Sequence, residues 1–434
     1  MTKIIKPLQA SILIFSISVL TACGGGKDTP PDPNPNPNPT AAYPPETTLT
    51  QIATHAVDKI ALGESMKDPE FGSTVTRLTD RINQQDTPLR DSKGNRYSRG
   101  NSHPYPKTQA WNSDMSMFRM RYRLYDANTL KELPITHGTN DLTKLYRING
   151  SLSEIKWSTV YPNVFYGVYD SEFWQGTIDR ATNKISYELI HAFESGNVNY
   201  DRFTLGKYEG NIDFNDKYVV FAARKTGKKY LTAIVYDIAS DKVRATVDFP
   251  QAEWPDKGQV FDWMSVSPLG KHILMSSGDK IIQYDLDLKE VRQLASSAGH
   301  GDLGVDQNGD EVYVQFEFGA DNGIWIYRLK DGHNMRLLPD KYNGGHVSCR
   351  NKQRKGWCYL STNYTENREV FAVKLDYSGP DNHIVNRFVQ THTSGHNSLA
   401  NVSPDGRRLL FESDWNDAVV PHWADRDTYH VEYK

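Results

Sequence analysis

Basic charge, long apolar runs and cysteine are all in short supply in this chain. Fifty Lys and Arg stand against 53 Asp and Glu, a net charge of −3. Bulk nucleic-acid binding needs cationic surface, so a nucleic-acid partner is not expected, and any polyanion must be met by locally concentrated positive charge. The apolar run from Ile12 to Leu20 is too short to span a bilayer as a helix. Cysteine occurs three times in 434 residues, at positions 23, 349 and 358.

What is present begins with the N-terminus. Lys3 and Lys6 precede the short apolar run, which ends in Leu20-Thr21-Ala22-Cys23. A basic start, a brief apolar core and small residues read as a secretory signal. The ending resembles a bacterial lipobox, which implies a signal peptide over residues 1–22 and a lipid on the Cys23 thiol. Gly24 after it, rather than Asp, favours the outer membrane by resemblance to sorted lipoproteins, so the expectation is an outer-membrane lipoprotein at the cell surface or the periplasmic face. Residues 23–49, rich in Gly and in Asn-Pro steps, read as an extended tether. A short helix is expected somewhere within 50–68.

From there to Lys434 one pattern recurs, an apolar strand, a tight polar turn and a second apolar strand. It stands clearest at 266–277 (VSPLGKHILMSS) and 402–413 (VSPDGRRLLFES), and more loosely at 305–316, 213–224 and 111–122. Asn, Asp and Gly supply the turn conformations. Hairpins begin near residues 103, 153, 208, 261, 300, 346 and 396, a spacing that suits four-stranded blades. The expected fold is therefore all-β over 50–434, a seven-bladed propeller of four-stranded antiparallel blades. The last blade is a strand short, and 74–80 (TVTRLTD) is expected to complete it and close the ring, because an open ring would leave two unpaired sheet edges.

Residues that open inner strands, or end the strands returning from them, are expected around one mouth of the central channel. Three blades open with Gly-His: Gly299-His300, Gly345-His346 and Gly395-His396, with the histidines 46 and 50 residues apart. Three imidazoles in register suit a divalent metal, with Cys358 as a fourth ligand. Zn²⁺ fits if the thiolate joins; Mn²⁺ or Ca²⁺ fits if only oxygens do. A second reading of Cys358 stands beside it: the turn at 351–356 places Cys349 opposite Cys358, and a cross-strand disulfide is natural in an oxidising compartment.

A second group falls on the first three blades. Tyr208 is placed at the opening of its inner strand and Arg224 at the end of the returning strand, so a hairpin centred on Asp216 brings them together. The same geometry sets His103 near Arg121 or Arg123, and Lys156 adds positive charge. A phenol, an imidazole and a guanidinium suit β-elimination from a uronate, in which a cation neutralises the carboxylate while a base takes the C5 proton and an acid assists the leaving oxygen.

Tyr208 and Arg224 at this spacing, the Asn-Ser-His103-Pro start and the Gly-His openings resemble the propeller-type ulvan lyases of marine bacteria, related in fold to oligogalacturonate lyases. The resemblance covers roughly residues 70–434. It implies a lyase that cleaves a sulfated, uronate-containing algal polysaccharide and leaves unsaturated uronyl ends. It also implies His103 and Tyr208 as the acid–base pair, Arg224 as the neutraliser, and a structural zinc-type site of His300, His346, Cys358 and His396. Arg121 and Arg123 stand where the family pattern expects a second histidine, and His137 is a further candidate; with Lys156 they are read as substrate-binding. The partners implied are an acidic polysaccharide and, through the lipid, the membrane, with the body a monomer. The alternatives are an oligogalacturonate lyase with a catalytic metal, and a non-enzymatic glycan-binding or envelope-scaffold propeller.

Overall fold

The computed structural model describes residues 43–50, 52–80, 103–120, 123–137, 155–194, 198–254, 261–318, 322–339, 342, 344–362, 368–377, 383–394, 398–416 and 426–433. Cys23, Arg121, His396 and the signal segment lie outside them. Thr40–Lys434 forms one compact unit.

That unit is an all-β propeller with six blades of four or five strands. From the axis outward, blade 1 is Lys156–Trp157, Val164–Tyr169, Glu172–Asp179 and Lys184–Ala192, with Thr136–His137 added in parallel. Blade 2 is Tyr200–Leu205, Tyr218–Lys225, Tyr230–Asp237 and Lys242–Glu253. Blade 3 is Phe261–Val266, Ile273–Ser277, Lys280–Tyr284 and Glu290–Ala295, and blade 4 is Gly301–Val305, Glu311–Glu317, Gly323–Arg328 and Asn334–Pro339. Blade 5 is Gly345–Ser348, Trp357–Thr362, Glu369–Lys374 and Ile384–Gln390, and Glu46–Thr48 adds an outer strand antiparallel to Ile384–Gln390. Blade 6 is Asn401–Val402, Arg408–Ser413 and Asp427–Glu432, completed by Thr74–Arg77 and Ser65–Lys67. The expected closing strand thus pairs where the missing one was needed.

Where seven four-stranded blades are expected, the described residues form six. At the first position in chain order stands a two-stranded hairpin, Met117–Met120 with Arg123–Asp126, extended by the single bridges Trp111–Phe118 and Tyr125–Glu132. Met117 packs with the core of blade 1, while Phe118 and Met120 pack with Leu410 of blade 6, so the hairpin stands between those two blades.

Alternation explains how the blades hold together. On Tyr218–Lys225, Tyr218, Val220 and Ala222 enter the apolar layer shared with blade 3, while Val219, Phe221 and Ala223 enter the layer shared with blade 1. Successive side chains of a strand point to opposite faces, and a blade wedged between two neighbours buries both. No helix forms within 50–68 among the described residues; Ser65–Lys67 is a strand there. The ordered body also starts earlier than residue 50. Tyr43 donates to the Asp405 carbonyl at 2.8 Å and its ring lies 3.7 Å from the Arg354 guanidinium. An extended, Pro-rich segment can serve as an edge strand, because only one of its edges needs hydrogen-bond partners.

Cys349 and Cys358 form a disulfide across their hairpin. Cys358 is therefore not a metal-ligating thiolate. Register excludes it as well. His346 faces Ser361, three rungs before the Cys349–Cys358 pair, and residues an odd number of rungs apart on a strand leave the sheet on opposite faces.

Candidate functional site

The segment His103 to Ala110 threads the axis instead of pairing in a sheet. Pro104 and Pro106 deny it two backbone donors, and its carbonyls are taken up by side chains from several blades. Asn401 Nδ2 donates to the Thr108 carbonyl at 2.6 Å, Ser348 Oγ to that of Pro106 at 2.8 Å, and Asn211 Nδ2 to that of Lys107 at 3.0 Å. Trp157 Nε1 donates to the Ala110 carbonyl at 2.9 Å. This explains why the first position carries only a hairpin: its innermost stretch is spent on the channel.

Around that segment the inner strands bring polar groups together. Tyr105 OH and His300 Nδ1 are 3.2 Å apart. The His300 and His346 rings stack with centroids 4.3 Å apart, and Tyr105 meets His346 edge-on at 5.1 Å. Burial, then the Lys107 ammonium, lowers the His300 pKa. His103 Nδ1 lies 2.7 Å from the Pro104 carbonyl. A carbonyl accepts, so Nδ1 carries the proton and Nε2 is the basic nitrogen.

Blade 2 departs from a regular hairpin. Its inner strand stops at Leu205, makes a five-residue excursion from Gly206 to Gly210, and resumes at Asp213, whose N–H bonds the Tyr218 carbonyl at 3.2 Å. Gly206, Lys207 and Tyr208 have φ of +56°, +56° and +76°, three successive left-handed residues. That conformation costs about 1–2 kcal/mol at each non-glycine position and collects at functional sites. The Gly206 carbonyl accepts from Met264 N at 3.2 Å. A Cβ on Gly206 would stand 1.9 Å from the Met264 oxygen, so the close approach requires glycine.

The excursion holds Tyr208 and Glu209 at the axis. Lys156 Nζ donates to Thr108 Oγ1 at 2.7 Å and to the Tyr208 carbonyl at 3.2 Å. Lys207 Nζ donates to the Phe261 carbonyl. Glu209 Oε2 is 2.7 Å from Lys107 Nζ, which lies 3.9 Å from the centroid of the Trp263 ring. Burial, with the Glu209 charge, raises the Asp262 pKa. Burial lowers that of Lys207, against the pull of Asp262 and Glu209.

Tyr208 and Arg224 are not cross-strand partners. Arg224 faces Arg202, six residues before Tyr208, and Phe221 faces Leu205. The expected centring holds next to the turn, at Asp213 and Tyr218, and the excursion breaks it above. Arg224 Nε pairs with Asp201 Oδ1 at 2.8 Å, and Nη1 donates to the Trp254 carbonyl at 3.0 Å. Trp254 in turn packs on Phe261 with ring centroids 5.7 Å apart, and the Phe261 carbonyl is the one Lys207 reaches. This run of contacts links Arg224 to Lys207, the residue before Tyr208. Arg123 lies in an ion pair with Glu132 at 2.8 Å on the hairpin.

Of the expected metal ligands, His300 and His346 meet, Cys358 does not join them, and His396 is outside the described residues. Ring lone pairs lie in the ring planes, so two imidazoles stacked within 28° of parallel direct them side by side, not at one point. Among the described residues no group of three His, Cys, Asp or Glu can hold a metal ion. Among the described residues, then, no metal cage is formed, and no chemical step is assigned to one.

Sequence reasoning missed Tyr105, Lys107, Glu209 and Asp262. A signal existed for Glu209: it is flanked by Gly206 and Gly210, two glycines four residues apart around Lys-Tyr-Glu, which marks a loop inside a strand.

Asp302 sits beneath the site on the inner strand of blade 4. Its Oδ2 accepts from Cys349 N at 2.7 Å and its Oδ1 from its neighbour Leu303 N at 2.8 Å. Burial raises its pKa from 3.8 to about 6, opposed by Arg350 and these two N–H groups. The folded state then holds the proton more tightly than the unfolded one, so this contribution to stability is full below pH 4 and is lost as pH rises through 6. Asp302→Asn is expected to lack that loss, on the order of 2 kcal/mol. Urea unfolding of both proteins at pH 4.5 and pH 7.5 measures it, and parallel pH dependence would refute it.

No protein-family model matches the chain, and neither does any curated protein. Solved structures do. The fold is that of a β-propeller of the kind found in oligogalacturonate lyases. An oligogalacturonate lyase in complex with manganese superposes with a TM-score of 0.54 at 13% identity, over 91% of this chain and 98% of that one. The oligogalacturonate lyase of Vibrio parahaemolyticus gives the same score and identity over 91% and 100%. Likeness at this identity establishes the fold.

Proposed function

We propose that the protein is a polysaccharide lyase that cleaves a uronate-containing, sulfated polysaccharide of the ulvan type by β-elimination. The observation that carries the reading is the left-handed Gly206–Gly210 excursion, which spends backbone strain to hold Tyr208 and Glu209 at the channel axis beside Lys107 and Lys156. Strain of this kind persists where the surrounding structure over-determines it.

In this mechanism a base takes the C5 proton, the electron pair forms the C4–C5 double bond, the C4–O bond breaks, and an acid protonates the departing oxygen. Tyr208 and His103 form the acid–base pair, His103 through its basic Nε2. A cation at the carboxylate lowers the cost of charge developing at C5; Arg224 and Lys107 are the two cations open to that role, Arg224 through exchange of its pairing with Asp201 and Lys107 through exchange of Glu209. The hairpin at the first position counts as the seventh member of the ring, and a lipid on Cys23 tethers the monomeric body to the outer membrane.

A panel of uronate polysaccharides, ulvan and polygalacturonate included, tests the reading by the ultraviolet absorbance of unsaturated uronyl products. Product from ulvan, retained after chelation, is the expected result. Activity confined to oligogalacturonate and lost on chelation would replace this reading with a metal-dependent one. No product from any member would leave a binding or scaffold propeller.

A further inference from the structure

Resting on the lyase reading, we propose that the Lys107 ammonium is the subsite for the substrate's carboxylate, and that Glu209 fills it while substrate is away. The 2.7 Å separation of Glu209 Oε2 and Lys107 Nζ is that of a charge-assisted hydrogen bond. Behind the ammonium lies the Trp263 indole face, which holds a cation by its quadrupole and leaves the opposite side for an anion.

The two partners differ in their freedom. The Lys107 side chain is 6% exposed, and its backbone is fixed to the channel through Asn211. The Glu209 side chain is 28% exposed and stands at the tip of the excursion, where rotation about its own side-chain bonds carries the carboxylate away with no backbone movement. The cation is therefore the fixed member and the carboxylate the exchangeable one. Asp262 stands in the same cluster: burial and then the Glu209 charge raise the pKa of its carboxyl, and the Lys107 and Lys207 charges lower it.

A uronate replaces one carboxylate by another, so the ammonium keeps its partner throughout. A neutral sugar or a uronate ester makes no ionic contact with the ammonium whether Glu209 is in place or not, so it gains nothing when Glu209 is removed.

Calorimetric titration with sodium glucuronate, methyl glucuronate ester and a monosaccharide sulfate tests this on the full chain, Glu209→Gln and Lys107→Met, with thermal unfolding as a check on folding. Glu209→Gln is expected to tighten glucuronate by roughly three- to tenfold with the ester unchanged, and Lys107→Met to weaken glucuronate at least about tenfold. Unchanged or weaker glucuronate binding by Glu209→Gln overturns the proposal whether or not Lys107→Met folds. So does equal tightening of the ester, a response confined to the sulfate, or no glucuronate binding by any form. Because binding is read without turnover, the two readings fail separately. Tightened glucuronate with no polysaccharide cleaved sinks the lyase and keeps the subsite, and cleavage with an unresponsive Glu209→Gln does the reverse.

Discussion

Replacing Tyr208 with phenylalanine is expected to lower kcat on the cleaved polysaccharide by about 10²–10⁴, the usual worth of a general acid or base, while the protein keeps its fold. The substitution removes one oxygen. Main-chain bonds hold the excursion: Lys156 donates to the Tyr208 carbonyl, Met264 to the Gly206 carbonyl, and Gly210 to that of Leu205. Each of these survives in the variant, and phenylalanine can take the same backbone conformation at the same strain. Loss of turnover with an unchanged thermal midpoint would therefore report chemistry and not collapse of the excursion. Turnover within a few-fold of the original protein would remove the phenol from the mechanism.

Breaking the Glu369–Arg387 pair of blade 5 is expected to have the largest effect on stability. The guanidinium meets the carboxylate through two hydrogen bonds of 2.7 and 2.9 Å, with both side chains more than nine-tenths buried. Arg387 also stacks 4.8 Å from the Phe71 ring and so fastens the closing N-terminal segment. Burial pushes the Glu369 carboxyl up and Arg387 holds it down. Arg387→Met strands a carboxylate without its counter-charge, which costs about 3–5 kcal/mol. Glu369 then gains a further reason to bind a proton, so the loss is larger at pH 8 than at pH 5. Adding Glu369→Leu to the single variant is expected to recover most of the deficit, because a buried pair is worth little against a well-packed apolar replacement. Urea unfolding at the two pH values measures both effects. A single-variant loss under about 1 kcal/mol would mean that the pair is not a structural staple.

Much of the architecture was readable from local signals. The strand–turn–strand phrases at 266–277 and 402–413 form the inner hairpins of blades 3 and 6, and inner strands start at Phe261, Gly301 and Gly345, each within a residue of its expected place. The role of 74–80 followed from an edge that had to be covered, and Thr74–Arg77 covers it. Symmetry about the turn at 351–356 set Cys349 opposite Cys358 and left a disulfide and a metal-ligating Cys358 as alternatives, and the disulfide is what forms. Turns and strand alternation are short-range effects, so a few adjacent residues suffice to reveal them.

The site was less readable. Counting outward from Asp216 placed Tyr208 opposite Arg224, yet Gly206–Gly210 leaves the strand and the register slips by several residues. A pairing register is a property of two strands, so one excursion displaces every pair beyond it.

By itself, then, the order of residues determined the strands and their turns, because each depends on neighbours along the chain, and the unpaired edge of the last blade pointed to its closing strand. Only the tertiary structure decided that His103 to Ala110 would run down the axis and that Lys107, Glu209 and Trp263 would meet there. Those contacts join residues far apart in the chain, Glu209 lying 102 positions and Trp263 lying 156 positions from Lys107. Their distances depend on how the whole ring closes, and no stretch of sequence carries that information alone.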